Sequence, residues 1–179
     1  MKGIVFNLLN EMVEEQLGLE AWDELLNATG LDGIYVATQT YPDEELLKLV
    51  AAAEAHTSVP ASDLVKAFGE YMVPSFAKNY PLFFENQSCL KSFLLTVDQV
   101  IHVEVRKLYP EAGLPEFQYE DRDDNSLTMI YRSPRKLCAL AEGLIAGSAK
   151  YFEQNYELKH DTCMHNGSDH CSLELTMTA

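Results

Sequence analysis

The sequence predicts an α+β fold, with a helical N-terminal lobe over about residues 1–64 and a second lobe over 65–179 in which helices accompany a four-stranded antiparallel sheet. Three observations carry this expectation. Apolar residues recur at intervals of three and four through the first eighty positions, period-two alternation begins only near residue 115, and the strand-like segments fall into two pairs, each joined by a polar turn. The length of 179 residues suits one compact domain that buries roughly 70% of the surface its unfolded form exposes. With 47% apolar and 23% charged residues, the chain has the composition of a folded protein with a packed core, outside the disordered, collagen-like and disulfide-scaffold classes.

Val5, Leu8, Leu9 and Met12 stand opposite Asn7, Asn10, Glu11, Glu14 and Glu15, an amphipathic helix that ends near Gly18. A short helix over 19–28 follows around Trp22, Leu25 and Leu26 and is broken by Gly30 and Gly33. After Pro42, the run DEELLKLVAAAEA places acids at the positive end of a helix dipole and puts Leu46, Leu49, Val50 and Ala53 on one face. Ser58 and Pro60 signal a further start, leading to Leu64, Phe68, Tyr71 and Met72 until Pro74 interrupts. A longer helix is expected from 87 to 109, with Leu90, Phe93, Leu94, Val97, Val100, Ile101 and Leu108 as its apolar arc and Pro110 and Gly113 as its stop. Its apolar surface continues round to His102, which predicts packing on one side and a cavity on another.

Segments 115–121 and 126–132, joined by DRDDNS, predict a hairpin in which Leu127, Met129 and Tyr131 alternate with Thr128, Ile130 and Arg132. Leu137, Leu140, Ala141, Leu144, Ser148 and Tyr151 then define a helix, where Gly143 and Gly147 admit a close neighbour. Strands over 156–163 and 170–177, around HNGSD, complete the sheet.

A net charge of −15 repels phosphate backbones and anionic lipid, which argues against nucleic acid and membrane partners. No apolar run approaches the roughly 20 residues that span a bilayer. The start MKGIVFNLLNEMVEEQ soon turns acidic and shows no small-residue cleavage site, so a cytoplasmic location is expected. In a reducing compartment Cys89, Cys138, Cys163 and Cys171 are free thiols or metal ligands rather than two disulfides. There is no arrangement of nucleophile, base and oxyanion donors, no phosphate loop and no open three-ligand zinc motif, so a regulatory protein rather than an enzyme is expected.

Two patterns carry chemistry. In YRSPR, an extended strand reaching Arg135 would put Tyr131, Ser133 and Arg135 on one face, two hydroxyls and a guanidinium suited to a carboxylate. The same pattern also fits an ordinary strand end with a surface arginine. His102 follows Asp98 by one helical turn, which fits either a simple ion pair or an axial ligand to a cofactor metal. Haem requires an imidazole nitrogen, an apolar slot and polar groups for two propionates, and the chain offers all three. It lacks C-x-x-C-H, so a haem here is held without thioether bonds.

The start MKGIVFNLL, the segment VKAFGEY, His102 followed by VEVRKLYP, Pro115, YRSPR and the Gly143-containing helix together resemble the haem nitric oxide/oxygen binding (H-NOX) domain over essentially the whole chain. The resemblance implies a non-covalent haem b between the two lobes, with His102 as proximal iron ligand, Tyr131, Ser133 and Arg135 around the propionates, and Pro115 pressing on a bent macrocycle. It also bears on the gas. Oxygen-binding members carry a tyrosine where this chain has Leu140, and Val5, Leu9, Met72 and Leu144 would complete an apolar distal pocket. Oxygen on ferrous haem is held better by a buried hydroxyl donor, whereas nitric oxide binds strongly without one. The expected ligands are therefore nitric oxide and carbon monoxide, with oxygen largely excluded unless Tyr71 or Tyr41 reaches the pocket.

Cys138, His160, Cys163 and Cys171 supply one nitrogen and three sulfurs, a set suited to tetrahedral structural zinc. CMHNGSDHC resembles the C-terminal segment of bacterial family members that carry such a site, although buried reduced thiols beside surface histidines fit the same residues. As the resemblance implies, nitric oxide breaks the bond to His102 and the two lobes shift. With 179 residues leaving no room for an effector, the signal would pass to a separate histidine kinase, diguanylate cyclase or phosphodiesterase. The rival expectation is a zinc- and thiol-based redox sensor, which replacement of Cys138, Cys163 and Cys171 would silence.

Overall fold

The computed structural model describes residues 1–178 and has the α+β architecture expected. The chain divides into two units, Met1–Phe68 and Gly69 onward, and the division falls inside a helix. The first unit holds α1 (Gly3–Leu17), α2 (Leu19–Thr29), α3 (Asp43–Thr57) and the start of α4 (Ala61–Asn79). Phe6, Trp22, Leu25, Leu46 and Leu49 are buried in it. Phe6 stacks on Tyr35, with ring centroids 4.1 Å apart, and Tyr41 meets both rings edge-on.

In α4, Pro74 does not end the helix as expected; the helix continues to Asn79. Proline lacks the N–H that would bond the Glu70 carbonyl. That carbonyl faces α8 (Cys138–Tyr151), where a Cβ placed on Gly147 would lie 2.7 Å from it. The close approach expected of Gly147 is thus made by the carbonyl that Pro74 releases. Gly69 meets Leu140 and Gly143 of α8 in the same way.

After α5 (Pro81–Glu85), the long helix expected from 87 to 109 is broken into α6 (Leu90–Thr96), a π-helical turn (Val97–Ile101) and α7 (His102–Leu108). His102 N–H donates to the Val97 carbonyl five residues back, so the turn contains one residue more than an α-helix would. The extra residue rotates the apolar arc. Val100 and Leu108, expected in the core, are 44% and 70% exposed, while Val97 and Ile101 still pack on the core.

The sheet is built from β1 (Glu116–Asp123), β2 (Ser126–Arg132), β3 (Asn155–Lys159) and β4 (Cys171–Thr178), all antiparallel in the order β1-β2-β4-β3. On its buried face Leu127 pairs with Leu175, Met129 with Leu173 and Tyr131 with Cys171. α6 and α8 cover that face with Leu90, Phe93, Leu94, Ala141 and Ile145. β3 stops at Lys159, short of the expected 163, and the chain reaches Cys163 through an irregular segment and a 3-10 turn over Met164–Asn166. Among the described residues, no helix is long and apolar enough to cross a membrane.

Candidate functional site

His102 is the first residue of α7, directly after the π turn, and its side chain is 12% exposed. Its Nδ1 lies 3.3 Å from Asp98 Oδ1, and its ring lies against Phe117 of β1, centroids 5.9 Å apart. The Pro115 carbonyl also accepts a hydrogen bond from the ring. Burial holds the imidazole below the ordinary histidine range despite Asp98, so at neutral pH the ring is uncharged. A carboxylate only accepts, so in the contact with Asp98 it is Nδ1 that donates. Phe117 continues to Tyr131, centroids 5.5 Å apart, and joins the histidine to the second group of polar residues.

That group is not a continued strand. β2 ends at Arg132, and Ser133–Lys136 forms a turn in which Lys136 N–H donates to the Ser133 carbonyl at 3.1 Å and Arg135 N–H to Ser133 Oγ at 3.3 Å. The period-two argument for a shared face therefore fails at Arg135. Proximity comes from the turn instead. Tyr131 and Ser133 are buried, and the tyrosine hydroxyl has the Ser133 hydroxyl and the Leu137 backbone as hydrogen-bond neighbours. Burial raises the Tyr131 pKa, which keeps it a neutral donor. Arg135 reaches back to the Gly113 carbonyl through Nη1, two residues before Pro115, and a Cβ at Gly113 would lie 3.1 Å from Nη2.

The remaining expected pocket residues are apolar. Val5 and Leu9 lie buried on α1, Met72 lies buried on α4, and Leu140 and Leu144 stand half-buried one turn apart on α8. The Tyr41 hydroxyl is engaged within its own loop, accepting from Val36 N–H at 2.8 Å and donating to Gln39 at 3.2 Å.

A second constellation converges more tightly. One ligand atom from each of Cys138, His160, Cys163 and Cys171 lies within 4.8 Å of the others. Cys163 Sγ is 3.9 Å from Cys138 Sγ and 3.8 Å from Cys171 Sγ. Four ligands around zinc at a Zn–S distance of about 2.3 Å require S···S separations of roughly 3.8 Å. His160 Nδ1 donates to Glu142 Oε1 at 2.7 Å, and His160 Nε2 is buried with no hydrogen-bond partner among the described residues. A buried imidazole grouped with three sulfurs is a donor set that could hold a tetrahedral metal ion. Met164 N–H donates to Cys171 Sγ at 3.3 Å. Burial, reinforced by the neighbouring thiols of Cys171 and Cys163, pushes the Cys138 thiol up to about 12, and burial raises that of Cys171. Such sulfurs keep their protons unless a cation displaces them.

The Haem-NO-binding (HNOB) family profile matches residues 2–160. A crystal structure of an H-NOX protein from S. oneidensis in the Fe(II)NO ligation state superposes with a TM-score of 0.94 at 38% identity, covering 100% of both chains. The chain belongs to the H-NOX family. The H-NOX domain of Shewanella oneidensis in the Fe(II)CO ligation state matches with a TM-score of 0.91 at 38% identity, over 99% of each chain. Soluble guanylate cyclase 89Db of Drosophila melanogaster is 26% identical over 143 residues, which is 75% of this chain and 20% of that protein. The chain thus spans about a fifth of the length of the curated relatives it matches.

Three parts of this H-NOX chain escaped the sequence reading. Phe117, the ring between His102 and Tyr131, was legible as an alternating β1 residue paired opposite Tyr131. Glu142 sits on α8 four residues after Cys138, where a metal-binding histidine's carboxylate partner is commonly sought. The π turn has no comparable signal.

Proposed function

We propose that this chain is a haem-based nitric oxide sensor. The observation that supports it best is His102, a buried uncharged imidazole whose ring is oriented by Asp98, 3.3 Å from Nδ1, beside Phe117. When bound, a ferrous haem b supplies an iron that takes up diatomic gases. His102 would ligate that iron, Tyr131, Ser133 and Arg135 would hold the propionates, and Pro115 would line the same site. Leu140 and Leu144 offer no hydrogen-bond donor, and Tyr41 spends its hydroxyl on its own loop. This favours nitric oxide and carbon monoxide over oxygen. His102 would couple the iron to α7, and the π turn immediately before it gives the helix a second way to close its hydrogen bonds. The receiver is a separate cytoplasmic histidine kinase or cyclic-di-GMP enzyme, and the acidic surface suits a basic patch on it.

The second group is structural zinc at Cys138, His160, Cys163 and Cys171, supported by the sulfur spacing and the unpartnered His160 Nε2.

The deciding experiment is the absorption spectrum of the ferrous protein in air and then with nitric oxide. A five-coordinate ferrous spectrum that ignores oxygen and converts to a five-coordinate nitrosyl is expected. His102→Ala is expected to lose the ferrous spectrum until imidazole is added. Failure to retain haem, or an unchanged spectrum in His102→Ala, would sink the reading.

A further inference from the structure

The two constellations share one short piece of chain. The connector of residues 133–137 leaves β2 after Arg132, one residue past Tyr131, whose register partner on β4 is Cys171, and enters α8 at Cys138. It therefore runs from beside Cys171 to Cys138. Its middle is the turn that carries Arg135.

This turn is not self-sufficient. Lys136 has φ 52°, in the left-handed region that a lysine adopts rarely and keeps only where its surroundings hold it there. The Lys136 carbonyl accepts a hydrogen bond from His165 Nε2 at 2.8 Å, and Cys138 Sγ lies 3.9 Å away from the same oxygen. A carbonyl only accepts, so His165 carries its proton on Nε2. His165 lies in the 3-10 turn that begins directly after Cys163, and the preceding Met164 N–H is bonded to Cys171 Sγ at 3.3 Å. His165 thus follows a residue bonded to Cys171 Sγ, and its own bond meets the turn that carries Arg135.

We propose that the Cys138, His160, Cys163 and Cys171 centre positions the haem clasp, and that His165 is the positioning residue that carries the state of that centre to Arg135. The filled centre holds Cys163 and Cys171 together, His165 stays under the Lys136 carbonyl, and Arg135 keeps its aim. With the centre empty the 3-10 turn loses its anchor, Lys136 relaxes from its left-handed conformation, and the Arg135 fork drifts from the propionate. This rests on the haem and zinc readings above.

The test uses the full chain loaded with haem and zinc. Haem loss to an excess of an apo-globin acceptor is timed, zinc is counted by mass spectrometry, and the haem propionate bending mode is recorded by resonance Raman. His165→Ala is expected to release haem about three- to tenfold faster, the span of one lost hydrogen bond, with a shifted propionate mode and its zinc retained. His165→Gln, whose amide can still donate, restores the slow rate. Lys136→Gly in the His165→Ala background restores it too, because glycine adopts positive φ without strain. In an Arg135→Ala background, His165→Ala adds nothing. Stripping zinc with a chelator speeds haem loss in the wild type at least as much as His165→Ala does.

An unchanged rate in His165→Ala, an undiminished effect in the Arg135→Ala background, or a zinc-free protein that holds haem as before would overturn the proposal. A chain that binds haem but no zinc overturns it together with the zinc reading and leaves the sensor reading standing. A chain that binds zinc but no haem overturns it together with the sensor reading.

Discussion

The two constellations of the second unit are built on opposite plans. At the cysteine centre four ligand atoms from different segments converge within 4.8 Å, and a carboxylate orients the one imidazole from behind. At the other site the groups are strung out along a row of rings, His102 to Phe117 to Tyr131, with centroids 5.9 and 5.5 Å apart, and end in a turn that holds a guanidinium. A single ion needs its donors at one point, whereas a large flat ligand needs separate polar ends joined by an apolar wall. Loss of one group should therefore act differently in the two places. A convergent site fails as a whole, and a distributed one weakens by degrees.

The largest effect is expected from Cys171→Ser, which removes a fully buried sulfur from a four-ligand set. Zinc affinity, measured by chelator competition, should fall by about a thousandfold or more. Retention of most of the affinity would mean that three ligands suffice and that the centre is less convergent than its distances suggest. Glu142→Ala comes next, with a loss of about 10- to 100-fold as His160 loses its orienting partner. Arg135→Ala should cost haem affinity by about tenfold, the weight of one charge-assisted contact among several, read from haem transfer kinetics. A complete loss of haem would make the clasp as cooperative as the metal centre and erase the contrast.

The smallest effect concerns pH. His102 is held below its ordinary range in the folded chain, mainly by burial. Below the unfolded value of about 6.5 the unfolded chain binds a proton that the folded chain refuses, so stability falls with falling pH in that window. Denaturant unfolding of the haem-free chain at a series of pH values should show this loss, and His102→Gln should reduce its slope.

Much of this contrast was visible in the residue order. The alternation of Leu127, Met129 and Tyr131 identified the buried face of β2, and His102, Arg135 and the four zinc candidates were each singled out by type and spacing. What failed did so for local physical reasons. Ser133–Pro134 starts a turn, so Arg135 does not share a strand face with Tyr131. Pro74 stays within its helix. The single extra residue of the π turn exposes Val100 and Leu108, and periodicity cannot register it because α- and π-turns use the same apolar residues one step out of phase.

By itself, the sequence determined the family, the α+β class and the identity of the chemical groups, because hydrophobic period and side-chain chemistry are properties of residue order. Only the tertiary structure decided which of those groups meet. Cys138 and Cys163 are twenty-five positions apart and come to 3.9 Å only because Tyr131 and Cys171 are register partners and α8 covers the same face. The contact of the His102 ring with Phe117, the left-handed Lys136 and the bond from His165 to its carbonyl are likewise set by packing between distant segments. Such contacts are fixed by strand register and burial, which act between residues that the linear order keeps apart.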